Sequence, residues 1–421
     1  MKDKQSNSLQ IITIIAMIFL YAMISFVTNL AAPVGKIWGE SFNDPVQAER
    51  MGMLGNLFNF LAYLIMGIPA GNILSKYGYK KTALVALALG FIGIGVQWLS
   101  GVTDSLYVYL LGALICGFCV CILNTVGNPM LNLLGGGGNK GNQLNLIGGT
   151  FQSFSAALTP MLVGAIVGES LVGKEIDDVN IVLYLAMAIF ALIFIIISFT
   201  PIAEPSKVGQ DVVYERSPWS FRHFVLGAIA IFFYVGIEVG VPATLISYLH
   251  KTAGKGYDAA TFIAGLYWLL MLVGRFIGSV IGGKVSSRSM VIGVSVLALL
   301  FMGSAMALGD SVYVALPTDW TFAMQAMPIA ALLIMMVGLC TSVMWGSIFN
   351  MATEGLGKYT PKASGIFMMM VFGGGVVPYI QSAISAHDCL LSYLVPVIGV
   401  AYILWYALLG SKNVNTDIKV D

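Results

Sequence analysis

The chain has 421 residues, of which 58% are hydrophobic and only 10% charged, with a formal net charge of +1. A soluble domain wets its surface with roughly 25% Asp, Glu, Lys and Arg, so a water-soluble globule is excluded, and the near-zero net charge gives nucleic acid no purchase. The mean hydropathy is +0.88, and apolar runs of about 20 residues, each able to cross a ~30 Å hydrocarbon layer as a helix, recur along the whole length.

Breaks at Gly, Pro and charge clusters divide the chain into twelve predicted spans: 9–34, 51–74, 82–100, 105–134, 142–168, 180–201, 222–249, 259–283, 289–309, 327–353, 362–386 and 390–410. The first is apolar from Ile11 to Ala32. It exceeds the apolar core of a signal peptide (about 7–15 residues) and leads into another span, so it reads as a retained helix. The fourth span carries Cys116, Cys119 and Cys121, and Cys340 and Cys389 lie in or beside later spans. No His or acid accompanies them, and they read as small helix-packing residues rather than a metal or redox site. GGGGNKG (135–141) lacks the G-K-[ST] of a phosphate loop and reads as a flexible connection. Segments 35–50, 169–179, 203–221 and 310–326 are the longest predicted non-membrane stretches. The third, AEPSKVGQDVVYERSPWSF, is polar and falls at the midpoint. It divides an N-terminal bundle, 1–202, from a C-terminal bundle, 222–421.

An even number of spans puts both termini on one side. That side then receives Lys2, Lys4, Lys76, Lys80, Lys81, Lys140, Lys207, Arg216, Arg222, Lys284, Arg288, Lys358, Lys362, Lys412 and Lys419. The other side receives Lys36, Arg50, Lys174, Lys251 and Lys255. The positive-inside rule makes the first side cytoplasmic. The halves also echo each other. The second span ends GIPAGNILSKYGYKKT (67–82) and the eighth GRFIGSVIGGKVSSRS (274–289). Gly117-Phe118-Cys119 matches Gly338-Leu339-Cys340, and Pro160 matches Pro378. A six-plus-six duplication is the mark of transporters whose site lies between two rocking bundles.

GNILSKYGYKK (71–81) resembles the loop G-x-L-x-D-R-x-G-R-R of the major facilitator superfamily. Gly71, Leu74, Lys76, Gly78, Lys80 and Lys81 fit, while Ser75 stands where that pattern has aspartate. FFYVGIEVG (232–240), YWLLMLVGRFIGS (267–279), VGLCTSVMWGSIFNMATEGLG (337–357), ASGIFMMMVFGGGVVP (363–378), and GNP with LNLIGGTFQSF (127–129, 144–154) are similar to one branch, the fucose–galactose–glucose symporters. The resemblance implies an all-α integral membrane fold of twelve transmembrane helices in two pseudo-symmetric six-helix bundles. It also implies alternating access, a bacterial inner-membrane location with both termini cytoplasmic, and a monomer. In that branch, acids near the end of the first helix and in the fourth couple protons. Here TNLAAP (28–33) offers none, and Asn124 replaces the second. The family proline of the tenth helix is Gly346.

Within the spans, Glu238 is the one deep acid, and Arg275 lies toward the cytoplasmic third of the eighth. An ionisable group at bilayer depth is costly unless paired, protonated or facing water. Glu238 therefore reads as a coupling residue and a substrate or cation ligand. Asn56, Asn59, Asn124, Asn128, Asn145, Gln152, Asn350 and Gln381 supply donor–acceptor pairs that match vicinal hydroxyls. Tyr234, Tyr267, Trp268 and Trp345 can stack on a pyranose. Each amide can equally be glue between helices, and each aromatic can be packing. The resemblance supports Asn128, Asn145 and Gln152, whose matching positions face the cavity. Gly71, Lys76, Gly78, Lys80, Lys81 and Arg275 read as inner-gate residues, the last by echo of the first half.

The reading that results is a secondary transporter importing a neutral hexose, deoxyhexose or N-acetylhexosamine, coupled to H⁺ or Na⁺. It carries no catalytic residues, cofactor or metal site. The alternatives are an efflux carrier for amphipathic compounds, which the many methionines suit, and uptake of an anionic sugar such as sialic acid. A sensor or membrane-embedded enzyme would need an output domain or a catalytic constellation.

Overall fold

A computed structural model describes residues 2–40, 45–167, 179–202, 204, 214–415, 418 and 420; side chains of 2–9, 29–37, 39–40, 45–53, 56, 157, 160–165, 167, 251–252 and 257–258 are outside the description. Among the described residues, thirteen α-helices carry the fold. The first half holds α1 (Lys2–Glu40), α2 (Pro45–Thr103), α3 (Leu106–Leu134), α4 (Gly138–Val167) and α5 (Asn180–Phe199). The second holds α6 (Arg222–Ser247), α7 (Tyr257–Ile281), α8 (Ser287–Leu308), α9 (Ile329–Thr341), α10 (Met344–Thr353), α11 (Thr360–Met369), α12 (Gly373–Ser385) and α13 (Leu394–Trp405).

Ten described segments are long and apolar enough to cross a bilayer. One of them, Leu57–Thr103, runs 47 residues and crosses twice, because Gly78 adopts φ 81°, ψ 175° and turns the chain back. Helix α4, 30 residues long and rich in Gly, Asn and Gln, is the fifth crossing and brings the number to twelve. The tenth and eleventh crossings are each built from two helices, α9 with α10 and α11 with α12. Segment 35–50, predicted outside the membrane, is helical up to Glu40 and again from Pro45. Segment 310–326 is an antiparallel hairpin, Tyr313–Pro317 against Met324–Pro328, with Ala315 opposite Ala326. This short sheet is an addition to the all-α reading. Residues 168–178 and most of the midpoint segment, 203 and 205–213, lie outside the described residues.

The repeated glycines explain why the duplication persists in packing. A Cβ on Gly117 of α3 would lie 2.5 Å from the Ala62 Cβ of α2. On Gly338 of α9 it would lie 2.3 Å from the Tyr267 carbonyl of α7. In each half, then, one glycine lets the fourth helix of the repeat press on the second.

The halves meet along two seams, α2 on α11 and α4 on α7. In the first, a Cβ on Gly67 would lie 2.6 Å from the Met369 backbone nitrogen. A Cβ on Gly365 would lie 2.4 Å from the Gly67 carbonyl. Backbone touches backbone there, as small residues four apart permit.

Candidate functional site

Where the halves face each other, α1, α3, α4, α6, α7 and α10 bring polar side chains together. The pivot is Asn128, fully buried on α3. Its Oδ1 accepts from Tyr21 Oη of α1 at 2.5 Å and from Trp345 Nε1 of α10 at 2.9 Å, so one oxygen joins the two halves. Its Nδ2 donates to the Asn124 carbonyl at 2.8 Å, and Asn124 Nδ2 donates to Tyr63 Oη at 2.9 Å. Tyr21 Oη also lies 3.2 Å from Asn145 Oδ1. One phenol proton serves two acceptors, with the shorter arm to Asn128, and Asn145 Nδ2 stays buried without a partner. A buried donor in that position is costly unless something else accepts its proton. Trp345 in turn tilts against Tyr234, with ring centroids 6.1 Å apart, and meets Phe367 edge-on.

One turn along α6 from Tyr234, Glu238 forms an ion pair with Arg275 of α7, Nη2 to Oε1 at 3.2 Å. The side chains are 12% exposed for Arg275 and 16% for Glu238, so the pair is largely withdrawn from solvent. Arg275 Nη1 donates to Ser153 Oγ at 2.6 Å and to the Gly149 carbonyl at 3.3 Å, both on α4 of the other half. The Tyr234 hydroxyl is buried beside this pair without closing a well-formed hydrogen bond to either member.

Of the residues singled out from sequence, Asn124, Asn128, Asn145, Tyr234, Trp345 and Glu238 therefore come together. Gln152 is half-buried on α4, next to Ser153. Arg275, read as an inner-gate residue, is the ion-pair partner of Glu238; its long side chain reaches that carboxylate from a helix position nearer the end. Tyr267 bonds Thr341 of α9 at 3.0 Å and meets Trp268 edge-on. Trp268 is exposed, two turns before Arg275 and on the same helix face. Asn59 faces Gly117 inside the first half. The Asn56 side chain lies outside the described residues. Gln381 is fully buried against Gly240, with neither amide atom partnered. A cavity of about 300 Å³ opens near it between α6 and α12, lined by Gly240, Thr244, Ser247, Pro378, Tyr379 and Ser382, apart from the Asn128 cluster.

Asn350 is committed elsewhere. Its Oδ1 accepts from Asn132 Nδ2 at 2.5 Å, and its Nδ2 donates to Ser287 Oγ at 2.8 Å and to the Gly138 carbonyl at 3.2 Å. Beside it Asn142 Nδ2 donates to Ser347 Oγ at 3.2 Å, and Gln143 Nε2 to the Ser279 carbonyl at 2.9 Å. These amides close the halves together at the end of the bundle that holds residues 135–141. At the same end, Gly71 packs on the Pro361 and Lys362 carbonyls. Lys80 Nζ caps α5 through the Ser198 and Thr200 carbonyls at 2.8 and 2.9 Å. Lys76 lies over the Tyr77 ring, and Lys81 is exposed. Glu204 accepts from the Tyr79 and Lys80 backbone N–H groups at 2.8 and 2.7 Å. It thus supplies, from the midpoint segment, a carboxylate to a loop whose own pattern aspartate is Ser75.

Sequence reasoning missed Tyr21, Tyr63, Ser153, Glu204 and the Asn132–Asn142–Gln143 group. Ser153 lay inside the quoted LNLIGGTFQSF segment; Tyr21 carries no mark that separates it from a packing tyrosine.

Similarity to known proteins extends over most of the chain. The sequence profile described as Major Facilitator Superfamily matches residues 14–378. The chain is 32% identical over 366 residues to a glucose/galactose transporter of Brucella abortus biovar 1 (strain 9-941), covering 84% of each. It is 24% identical to the L-fucose-proton symporter of Escherichia coli (strain K12), covering 86% of this chain and 85% of the relative. The crystal structure of the E. coli fucose:proton symporter superposes with a TM-score of 0.81 at 20% identity, over 96% of this chain and all of the other.

Proposed function

The chain belongs to the Major Facilitator Superfamily, a family of membrane transporters rather than enzymes, and on that footing we propose that it imports a neutral sugar by alternating access. The observation that carries this reading is the Asn128 oxygen held jointly by Tyr21 and Trp345. It creates a polar, aromatic-walled point where the halves meet, with an unpartnered amide donor on Asn145 beside it. A pyranose offers acceptors to that donor and an apolar face to Trp345 and Tyr234. The sugars in the relatives' names, glucose, galactose and fucose, fit that chemistry.

The bundles 1–202 and 222–421 are the moving bodies, joined by 203–221, and the side bearing both termini is cytoplasmic. The amides around Asn350 and the glycine seam of Gly67, Gly71 and Gly365 form the inner gate. Arg275 does not favour an anionic sugar, because its charge is already answered by Glu238 at 3.2 Å.

The test is thermal stabilisation of the purified protein by D-glucose, D-galactose, L-fucose and N-acetylglucosamine, followed by counterflow of the stabilising sugar in proteoliposomes. One epimer stabilising in preference to another supports sugar import. Stabilisation by hydrophobic drugs alone would establish the efflux reading instead.

A further inference from the structure

We propose that the hairpin formed by Tyr313–Pro317 and Met324–Pro328 is a membrane anchor. Its tip, which carries Trp320 and Phe322, lies in the headgroup–acyl boundary of the lipid leaflet beside α7. The anchor is independent of which solute is carried.

The hairpin's place follows from α8. Ser287, at the start of that helix, bonds Asn350 at the end of the bundle that holds residues 135–141. The helix runs 22 residues, about 33 Å of rise, so Leu308 and the hairpin after it lie at the opposite end. On the orientation proposed above, that end meets the outer leaflet. One side of the hairpin is settled inside the protein. Leu316 and Met327 are buried, and the Ile329 N–H donates to the Val312 carbonyl at 2.8 Å. The other side, with Tyr313, Ala315, Met324 and Ala326, is exposed and uncharged. Residues 311–328 carry a single charge, Asp319. Contiguous exposed apolar surface of this kind marks contact with something other than water.

The tip is built to hold aromatic rings outward. Asp319 Oδ1 accepts from the Thr321 N–H at 2.8 Å, from Thr321 Oγ1 at 2.5 Å and from the Ala323 N–H at 3.2 Å. Thr318 donates to the Ala323 carbonyl through its N–H at 3.0 Å and its hydroxyl at 2.9 Å. The one acid is thus used within the turn. Phe322 sits at φ 58°, a region that a bulky L residue enters at a cost and that Gly or Asn tolerates. Yet Phe322 is 71% exposed and Trp320 81%, so the partner that offsets that cost lies outside the described chain.

Lipid is the occupant that the neighbouring helix favours. Trp320 meets Phe262 of α7 edge-on, with ring centroids 5.2 Å apart. Phe262 lies about 7.5 Å along the axis from the start of α7 at Tyr257. It heads a stripe with Leu269, Val273, Phe276 and Val280, whose spacing puts all five on one helix face. The last four are exposed, whereas Gly282 on the opposite face packs against Leu146 of α4. An exposed apolar stripe on a spanning helix faces the acyl chains. Trp320 therefore stands at the head of a lipid-facing surface, at the depth where tryptophan and tyrosine concentrate in membrane proteins. At the hairpin's base, Lys255 Nζ lies over the Tyr313 ring at 5.9 Å and offers a headgroup phosphate its cation. With α7 held to lipid on this face, the seam on its α4 face is where the halves part.

The experiment uses the full chain in phosphatidylethanolamine–phosphatidylglycerol vesicles. The five native cysteines are buried, so a nitroxide reagent selects the added thiol of Phe322→Cys. Power saturation should give this nitroxide a several-fold higher ratio of oxygen access to water-soluble nickel-chelate access than the same nitroxide free in buffer. A ratio equal to that in buffer overturns the anchor and leaves the hairpin in water. Spin–spin broadening that vanishes on dilution with unlabelled protein overturns it in favour of contact between two copies. Should Phe322→Cys fail to fold, tryptophan emission decides, by comparing wild type with Trp320→Phe, which keeps a ring against Phe262. Phospholipids brominated near the headgroup should quench a component of wild-type emission that is missing from the variant. Absence of that component refutes the anchor.

Discussion

Asn132 and Asn350 lie on α3 and α10, in opposite halves, and share a hydrogen bond of 2.5 Å from Nδ2 to Oδ1. With Ser287 and the Gly138 carbonyl also engaged, the Asn350 amide is fully committed. Asn350→Ala removes contacts between the halves and leaves Asn132 short of an acceptor. Maximal transport rate should fall several-fold while apparent KM stays within about threefold of wild type. Concentration-dependent counterflow checks this; a large rise in KM at unchanged maximal rate would place Asn350 on the sugar instead.

The Asn128–Trp345 contact predicts the opposite signature. Trp345→Phe keeps a ring and removes the N–H that reaches Asn128 at 2.9 Å. Asn128 Oδ1 keeps the Tyr21 hydroxyl, so the loss is one buried hydrogen bond across the halves, about 0.5–1.5 kcal/mol. Asn128→Ala should cost at least as much, because Trp345 then loses its acceptor and Tyr21 keeps only the longer arm to Asn145 at 3.2 Å. Sugar titrations of thermal stability should show affinity falling several-fold or more in each.

Gly365 tests the glycine seam. A Cβ there would sit 2.4 Å from the Gly67 carbonyl, an atom that cannot yield without moving α2. Gly365→Val should still purify as a folded monodisperse species but lose most counterflow, since the inner ends can no longer close. Wild-type transport rates from this variant would show that the seam is not an obligatory closed state.

Glu204 should matter to stability although it lies in the midpoint segment. Glu204→Ala strips the acceptor from the Tyr79 and Lys80 N–H groups, a loss of about 1–2 kcal/mol by analogy with caps. Gly78→Ala is strained twice, by φ 81° and by a Cβ placed 2.9 Å from the Glu204 carboxylate. The double variant should therefore be less destabilised than the sum of the two in thermal unfolding.

Asp319 gives the hairpin a pH dependence. Hydrogen bonds from the Thr321 side chain, the Ala323 N–H and the Thr321 N–H hold its carboxyl below the usual carboxylate range. Because the folded value is depressed, the turn's added stability is present above the ordinary aspartate range. It is lost as pH falls through the folded value. Amide exchange at Ala323, corrected for its intrinsic pH dependence, should show protection declining at acid pH, and Asp319→Asn should abolish that pH dependence.

Composition and the run of apolar segments made the twelve crossings legible, and the Gly117/Gly338 echo made the duplication legible, because hydropathy and repeats survive in sequence unaided. The centre was legible as chemistry and not as partnership. Asn128 and Asn350 are both buried amides on spanning helices, and only their neighbours separate one read as a site from one read as a gate. The pairing of Arg275 with Glu238 was not legible because helix position tracks the Cα, whereas a guanidinium works several ångströms away. Glu204 escaped notice because the loop it serves is more than 120 residues distant in sequence, so no local pattern joins them. Tyr21 needed Asn128 and Asn145 beside it before its hydroxyl meant anything.

The most direct test of the central claim, that the Asn128–Tyr21–Trp345 point is a sugar site between two halves, is counterflow of labelled hexose in proteoliposomes carrying wild type or Asn128→Ala. The account predicts stereoselective exchange by wild type, blocked by one unlabelled epimer and not by another, and its loss in the variant at subsaturating sugar. Stereoselective exchange that is unchanged in Asn128→Ala would contradict it.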